Sequence, residues 1–140
     1  MYLTYEEYSA MGGTLSNTDF NFLAYEAESY INWYTFNRLK GQDEIPQEVK
    51  DCEFYLIRLI QVRLASLGLG NVTDTSGSGI IGSVASRSND GVSESFNSLA
   101  ARDAIKSISD EIGEGIRRYL QGVTNELGRR LLYRGLYPGE

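Results

Sequence analysis

The sequence of 140 residues contains no histidine and a single cysteine. Histidine moves protons near neutral pH, partners the nucleophile in most serine and cysteine dyads, and ligates the common zinc sites. Its absence therefore excludes those classes of site. One cysteine, Cys52, excludes an internal disulfide and any Cys-x-x-Cys pair, so nothing in the sequence requires an oxidising compartment.

Long apolar runs are missing as well. No stretch approaches the about 18 consecutive apolar residues of a membrane-spanning helix. The opening residues, Met1 to Glu7, lack the basic start and the apolar stretch of a secretory signal. We therefore expect a protein that is made inside the cell and has no membrane partner.

Basic side chains are outnumbered, with 13 Lys and Arg against 19 Asp and Glu and a formal net charge of −6. A chain with this charge lacks the broad basic face that binds a phosphate backbone. The charge thus disfavours affinity for nucleic acid, although it allows the protein to lie close to it.

The remaining composition is that of one globular domain with a core, in which aromatic residues are plentiful: ten Tyr, five Phe and one Trp. Apolar spacing near 3.6 residues indicates helices. Asn17 or Thr18 is a good N-cap for the second helix, and Pro46 suits the first position of the third. We place the four helices at 5–11, 17–39, 46–67 and 98–123.

The second helix carries aromatic residues on two faces. Its buried stripe runs from Phe20 through Ile31 to the stem of Arg38. Tyr25, Trp33 and Phe36 fall off that stripe. Aromatic side chains in such positions favour a second contact surface, so these three residues are candidates for a subunit interface.

Two features of the later helices bear on packing. Cys52 lies in the apolar stripe of the third helix, where a cysteine is usually a small buried side chain rather than a nucleophile. Gly113, Gly115 and Gly122 interrupt the stripe of the fourth, each at a cost of about 1 kcal/mol relative to alanine. These glycines indicate a close helix crossing or a bend.

Between the third and fourth helices, Val84 to Phe96 alternates small, polar and apolar residues around an Asn-Asp-Gly turn, a pattern typical of a β-hairpin. After the fourth helix, residues 128–140 interleave arginines with Leu and Tyr. This segment is suited either to docking on a partner or to folding back over its own domain, and less to a phosphate groove. The expected fold is mainly α: a small helical bundle over 1–127, with one hairpin inserted at about 82–97 and an extended C-terminal tail over 128–140.

Catalytic groups are scarce. The closely spaced carboxylates, Glu26 with Glu28 and Asp110 with Glu111 and Glu114, occupy helix faces opposite the apolar stripes. Solvated helix surface is the ordinary role of such acids. We therefore expect no enzyme, no catalytic residue, no cofactor and no metal site.

The order of these elements resembles the head–tail connector proteins of tailed phages, also called adaptor or head-completion proteins. Two stretches carry the resemblance: Ser88 to Phe96, which reads SNDGVSESF, and Leu131 to Tyr137, which reads LLYRGLY. The resemblance extends over nearly the whole chain through the order of its elements.

The resemblance implies a structural protein of the virion neck, made in the bacterial host cytoplasm. Such a protein forms a ring with itself, dodecameric by resemblance, between the portal and the stopper or tail. It helps to retain DNA, which passes through the channel without specific binding. The net negative charge suits that role because it repels DNA.

The resemblance also implies which residues contact partners. In the hairpin these are Asn89, Asp90, Gly91, Ser93, Ser95 and Phe96. In the tail they are Arg129, Arg130, Leu131, Leu132, Tyr133, Arg134 and Tyr137. The alternative function is a small helical regulatory or DNA-packaging accessory protein that binds a single partner.

Overall fold

A computed structural model describes residues 1–66 and 91–140 of the chain. Within these ranges the protein is mainly helical, as the sequence predicts. They contain no β-strand, only one isolated antiparallel bridge between Thr124 and Arg130. The helices are α1 (Tyr5–Ala10), α2 (Asn17–Tyr34), α3 (Gln47–Ser66) and α4 (Gly91–Leu120).

Helix α1 begins and ends where local sequence predicts. Thr4 and Glu7 form a capping box: the Glu7 amide donates to Thr4 Oγ1 at 3.2 Å, and the Thr4 amide donates to the Glu7 carboxylate at 2.9 Å. Gly12, with φ of +93°, turns the chain out of the helix. Tyr5 and Tyr8 then pack against Phe20 of α2.

Helix α2 ends earlier than predicted, at Tyr34 rather than near Leu39. The hydroxyl of Thr35 donates back to the Ile31 carbonyl at 2.8 Å. Phe36 and Asn37 then adopt left-handed φ values of 54° and 59°. These two residues turn the chain out of the helix, and both are exposed at the protein surface beside the end of α2.

The core lies where α3 contacts both α2 and α4. Cys52 is fully buried within it, as predicted. Leu3, Leu15, Leu39 and Leu131 join the helices' apolar stripes from outside helical segments. The other fully buried large side chains are Phe20, Leu23, Ile31, Leu56, Ile57, Ile60, Ile112, Ile116 and Leu120.

The glycines of α4 permit the close packing that the sequence indicates. A Cβ added to Gly115 would lie 2.5 Å from Cε1 of Tyr55 on α3. One added to Gly113 would lie 2.6 Å from the hydroxyl oxygen of Tyr34 on α2. Gly122 has a different role: it lies just after the end of α4 and adopts a φ of +82°, a left-handed conformation that takes the chain out of the helix.

The predicted hairpin differs from the structure over its second strand. Gly91–Phe96 belongs to the first turns of α4, so this stretch is helical rather than extended. The sequence permits both structures because Asn and Asp are favoured in hairpin turns and also as N-caps. The rest of the predicted hairpin, 82–90, lies outside the described residues.

The C-terminal segment, 128–140, is not the extended tail that the sequence predicts. It forms turns and folds back on the helices, with Leu131 fully buried among the core residues. Of the alternatives left open by the sequence, folding over its own domain is the one observed. The physical reason is Arg38, whose contacts draw the segment inward.

None of the helices in the described ranges combines the length and the apolar character that crossing a bilayer requires.

Candidate docking surface

The C-terminal segment is organised around the guanidinium of Arg38, whose side chain is 3% exposed. Nη1 donates to the carbonyl oxygen of Leu131 at 3.1 Å and also to that of Tyr133. Nη2 donates to the Gly135 carbonyl at 2.7 Å. Arginine carries five donors in a planar fork, and this fork can satisfy several carbonyls that no helix or strand pairs.

Aromatic rings and a carboxylate complete the surroundings of Arg38. The Phe36 and Tyr137 ring centroids lie 5.1 Å and 5.0 Å from its Cζ, within the range of cation–π attraction. The carboxylate of Glu140 accepts from Nε at 2.9 Å. Hydrogen bonding from Arg38 lowers the pKa of Glu140 to about 2. The carboxylate therefore remains charged throughout the ordinary pH range.

The predicted tail residues divide into two groups. Leu131 belongs to the core, and Arg129 and Tyr137 bind within the segment, since Arg129 pairs with Glu140 and the Tyr137 hydroxyl accepts from the Arg130 amide at 2.8 Å. The others contribute to the surface: Arg130, Leu132, Tyr133 and Arg134 are all at least partly exposed. The first group therefore makes the contacts within the chain that the sequence left open as an alternative, while the partner contacts of the tail stay a prediction.

The three predicted interface residues all lie at the surface. Tyr25 is 77% and Trp33 73% exposed, which confirms that both fall off the buried stripe of α2; Phe36 is 51% exposed and lies beyond the end of that helix. Phe22, 58% exposed, shares the outward face of α2 with Tyr25 and Trp33. We call Phe22, Tyr25, Trp33 and Phe36 the aromatic surface.

A groove of about 770 Å³ opens beside the aromatic surface, between the end of α2, helix α4 and the C-terminal segment. It brings two interface candidates together with two tail candidates, which the sequence places about a hundred positions apart. None of the described residues that line it carries a carboxylate. Its lining residues are Asn32, Trp33, Tyr34, Phe36, Asn37, Arg117, Leu132 and Arg134.

The residues predicted for the hairpin are not shown at this groove. Gly91, Ser93, Ser95 and Phe96 lie in the first turns of α4, and Asn89 and Asp90 lie outside the described residues. Because Gly91–Phe96 is helical, the described residues of the predicted second strand do not form the hairpin edge that the sequence indicates.

The carboxylates considered for catalysis make ordinary structural contacts. Glu28 pairs with the Met1 ammonium at 2.7 Å, and Glu114 pairs with Arg117 at 2.8 Å. Glu111 accepts a hydrogen bond from the Tyr55 hydroxyl at 2.6 Å. The described residues hold no group of three His, Cys, Asp or Glu side chains placed to bind a metal ion.

One buried acid was missed in the sequence. Glu53 is fully buried, and one of its oxygens accepts from the Leu3 amide at 2.8 Å while the other has no hydrogen-bond partner. Burial raises its pKa to about 8. The helical spacing could have predicted its burial, because Glu53 lies four residues after Val49 and three before Leu56, on the apolar stripe of α3.

No protein-family model, curated protein or solved structure matches this chain.

Proposed function

We propose that the protein is a non-enzymatic structural component of a tailed-phage virion. It acts as a head–tail connector that forms a ring between the portal and the stopper or tail, helps to retain DNA, and provides the platform for tail attachment. The proposal follows from the resemblance of the sequence to connector proteins. The described surface adds support of its own.

The main support is the exposed aromatic surface. Solvent-exposed aromatic side chains do not stabilise the core. Aromatic residues are, however, among the types that most often anchor protein–protein contacts. Trp33 is 73% and Tyr25 77% exposed, and both project from a helix whose opposite face is buried. A role in binding other proteins would explain why these aromatic side chains are exposed.

Charge supports the same role. A ring that encloses DNA works best when the DNA slides freely, and a chain of net charge −6 repels the phosphate backbone. A groove that unites the aromatic surface with the C-terminal segment offers one continuous face for a neighbouring chain. A head-to-tail contact through such a face closes into a ring when the rotation between copies allows it.

The proposal is tested by quantitative mass spectrometry of purified, DNA-filled particles from the strain that encodes the chain. We expect the protein at a copy number matching a ring, relative to the portal protein in the same sample. A matched pair of variants refines the test. Trp33→Ala removes an exposed aromatic side chain of the aromatic surface. Val62→Ala removes an exposed aliphatic side chain that lines neither the groove described above nor the two smaller grooves at Trp33. Only the first should lower incorporation.

The regulatory or packaging accessory protein is the alternative, and the same sample separates the two. An accessory protein would remain in the lysate and be missing from intact particles. Hydrogen exchange on the isolated Trp33→Ala variant checks its fold, since unchanged protection with lost incorporation assigns the residue to an interface. Absence of the wild-type chain from intact particles would overturn the connector proposal.

A further inference from the structure

We propose that the groove binds an acidic segment of a partner protein that also carries apolar side chains. The inference rests on the proposed docking function and names the chemistry of the partner at that surface. Three independent features of the groove support it: its apolar walls, its charge and its strained backbone.

The walls are apolar and within reach of solvent. Trp33 and Phe36 of the aromatic surface stand on one side, and Leu132 of the C-terminal segment is half-buried on the other. A volume of about 770 Å³ lies within the range of sites that enclose several side chains of a ligand. Apolar side chains of a bound segment would therefore be removed from water here.

The charge of the groove is opposite to that of the whole chain. Arg117 and Arg134 line it, and no carboxylate stands among its described lining residues, although the chain has a net charge of −6. Glu114 lies beside Arg117, but their side chains are 66% and 51% exposed, so solvent weakens that pair. No described residue forms an ion pair with Arg134. Carboxylates of a ligand would complement both cations.

The backbone beside the groove is strained. Phe36 adopts a φ of 54°, in the left-handed region that a bulky side chain rarely occupies. This conformation holds its ring 51% exposed at the groove instead of in the core. Strain of this kind persists where the surrounding structure imposes it, and it concentrates at functional sites.

A protein segment fits this surface better than a nucleic acid. Two further grooves meet at Trp33: one contains the carboxylate of Glu26, and the other contains that of Glu28 together with Lys40. A phosphate backbone that stacked its bases on Trp33 would pass these acids along its length. A short acidic segment could pair its carboxylates with the two arginines of the groove without extending to Glu26 and Glu28.

Trp33 is the only tryptophan of the chain, so its fluorescence reports on the groove. The probe is a short blocked peptide of alternating Glu and Leu, which has no fluorescence of its own. We expect a saturable blue shift as the indole leaves water, weakened by salt because the attraction is partly electrostatic. A matched peptide of alternating Gln and Leu should bind at least about tenfold more weakly.

Variants test the two cations directly. The double substitution Arg117→Glu with Arg134→Glu should abolish the saturable shift, and circular dichroism should show the helices intact because both side chains are exposed. Arg58→Glu makes the same kind of charge change at an exposed position of α3 that does not line the groove, and it should bind as the wild type does.

Several results would overturn the inference. These are no saturable shift, equal binding of the Gln peptide, or full binding by the double variant. A shift produced by single-stranded DNA but not by the acidic peptide would assign the groove to nucleic acid. Self-association of the wild type that the double variant loses would place a second copy in the groove instead.

The groove and the connector role fail separately. The protein found in particles without any peptide binding would keep the connector proposal and remove the acidic ligand. Peptide binding by a protein that is missing from particles would keep the acidic ligand and remove the connector proposal.

Discussion

Arg38 and Glu140 form a two-pronged ion pair across 102 residues of sequence, with Nε 2.9 Å from Oε1 and Nη2 3.2 Å from Oε2. The Arg38 side chain is 3% exposed, and the same guanidinium also donates to carbonyls of the C-terminal segment. One cation thus supplies hydrogen bonds that regular secondary structure would otherwise provide. The order of 128–140 depends on a residue just past the end of α2.

We expect Arg38→Ala to lower the free energy of unfolding by about 2–4 kcal/mol, because several carbonyls lose their donor and the ion pair with Glu140 is broken. Arg38→Lys keeps the charge but not the planar fork, so it should recover less than half of the loss. Urea denaturation measures both changes, and hydrogen exchange should show lost protection in 128–140. Arg58→Ala, at an exposed position of α3, is the control. A Lys variant as stable as the wild type would contradict this role for the fork.

Acid should release the same segment. Arg38 lowers the pKa of Glu140 from 4.5 to about 2, so the carboxylate stays paired in the folded state at pH values that protonate it in the unfolded chain. Its stabilising contribution is therefore present above 4.5 and is lost as the pH falls through about 2.

The Tyr137 amide reports this event by NMR because it donates to Glu140 Oε2 at 2.9 Å. Its chemical shift should titrate with a midpoint near the lowered pKa. Glu140→Gln removes only the side-chain acid, and it should remove that midpoint. A Tyr137 shift that titrates equally in both proteins would assign the effect to another carboxyl.

Features that depend on spacing within one helix could be predicted from the sequence. The exposure of Trp33 and the burial of Cys52 follow from the phase of each side chain around its helix. The close approach at Gly115 is one of the two outcomes that its cost predicts, since glycines within a helix indicate a close crossing or a bend.

Features that depend on distant contacts could not be predicted in this way. The apolar spacing of α2 continues to Arg38, so nothing local places the end of the helix at Tyr34. Beyond that end, Arg38 is held by carbonyls and a carboxylate some hundred positions later in the chain. The groove shares this origin, because Trp33 and Arg134 meet only after the C-terminal segment has folded back.

Alkaline pH should destabilise the protein through Glu53. Burial raises its pKa from 4.5 to about 8, so the folded state keeps a proton that the unfolded chain has lost. Stability therefore falls as the pH rises from 4.5 towards 8, and the full cost remains above that range. Glu28 adds to the rise in pKa, while the Met1 ammonium opposes it.

Glu53→Gln is neutral at every pH and can still accept from the Leu3 amide. We expect it to exceed the wild type in stability by about 1–3 kcal/mol at alkaline pH, because no charge is buried. Urea denaturation midpoints of both proteins, measured below and above the pKa of Glu53, test this expectation, because only the wild type should lose stability at the higher pH. Equal pH dependence in both would show that Glu53 is not the group responsible.

The same substitution should have different effects at two glycines of α4. Alanine gains about 1 kcal/mol of helix propensity at either position. At Gly113 the new Cβ meets only the terminal hydroxyl of Tyr34, which can swing aside, so we expect Gly113→Ala to be neutral or stabilising. At Gly115 it meets the ring of Tyr55, which is held by a hydrogen bond to Glu111, so Gly115→Ala should lose about 1–2 kcal/mol. Thermal or urea unfolding measures both, and Tyr55→Ala should make Gly115→Ala harmless. Equal effects at the two positions would mean that helix propensity, not the crossing of α3 and α4, governs them.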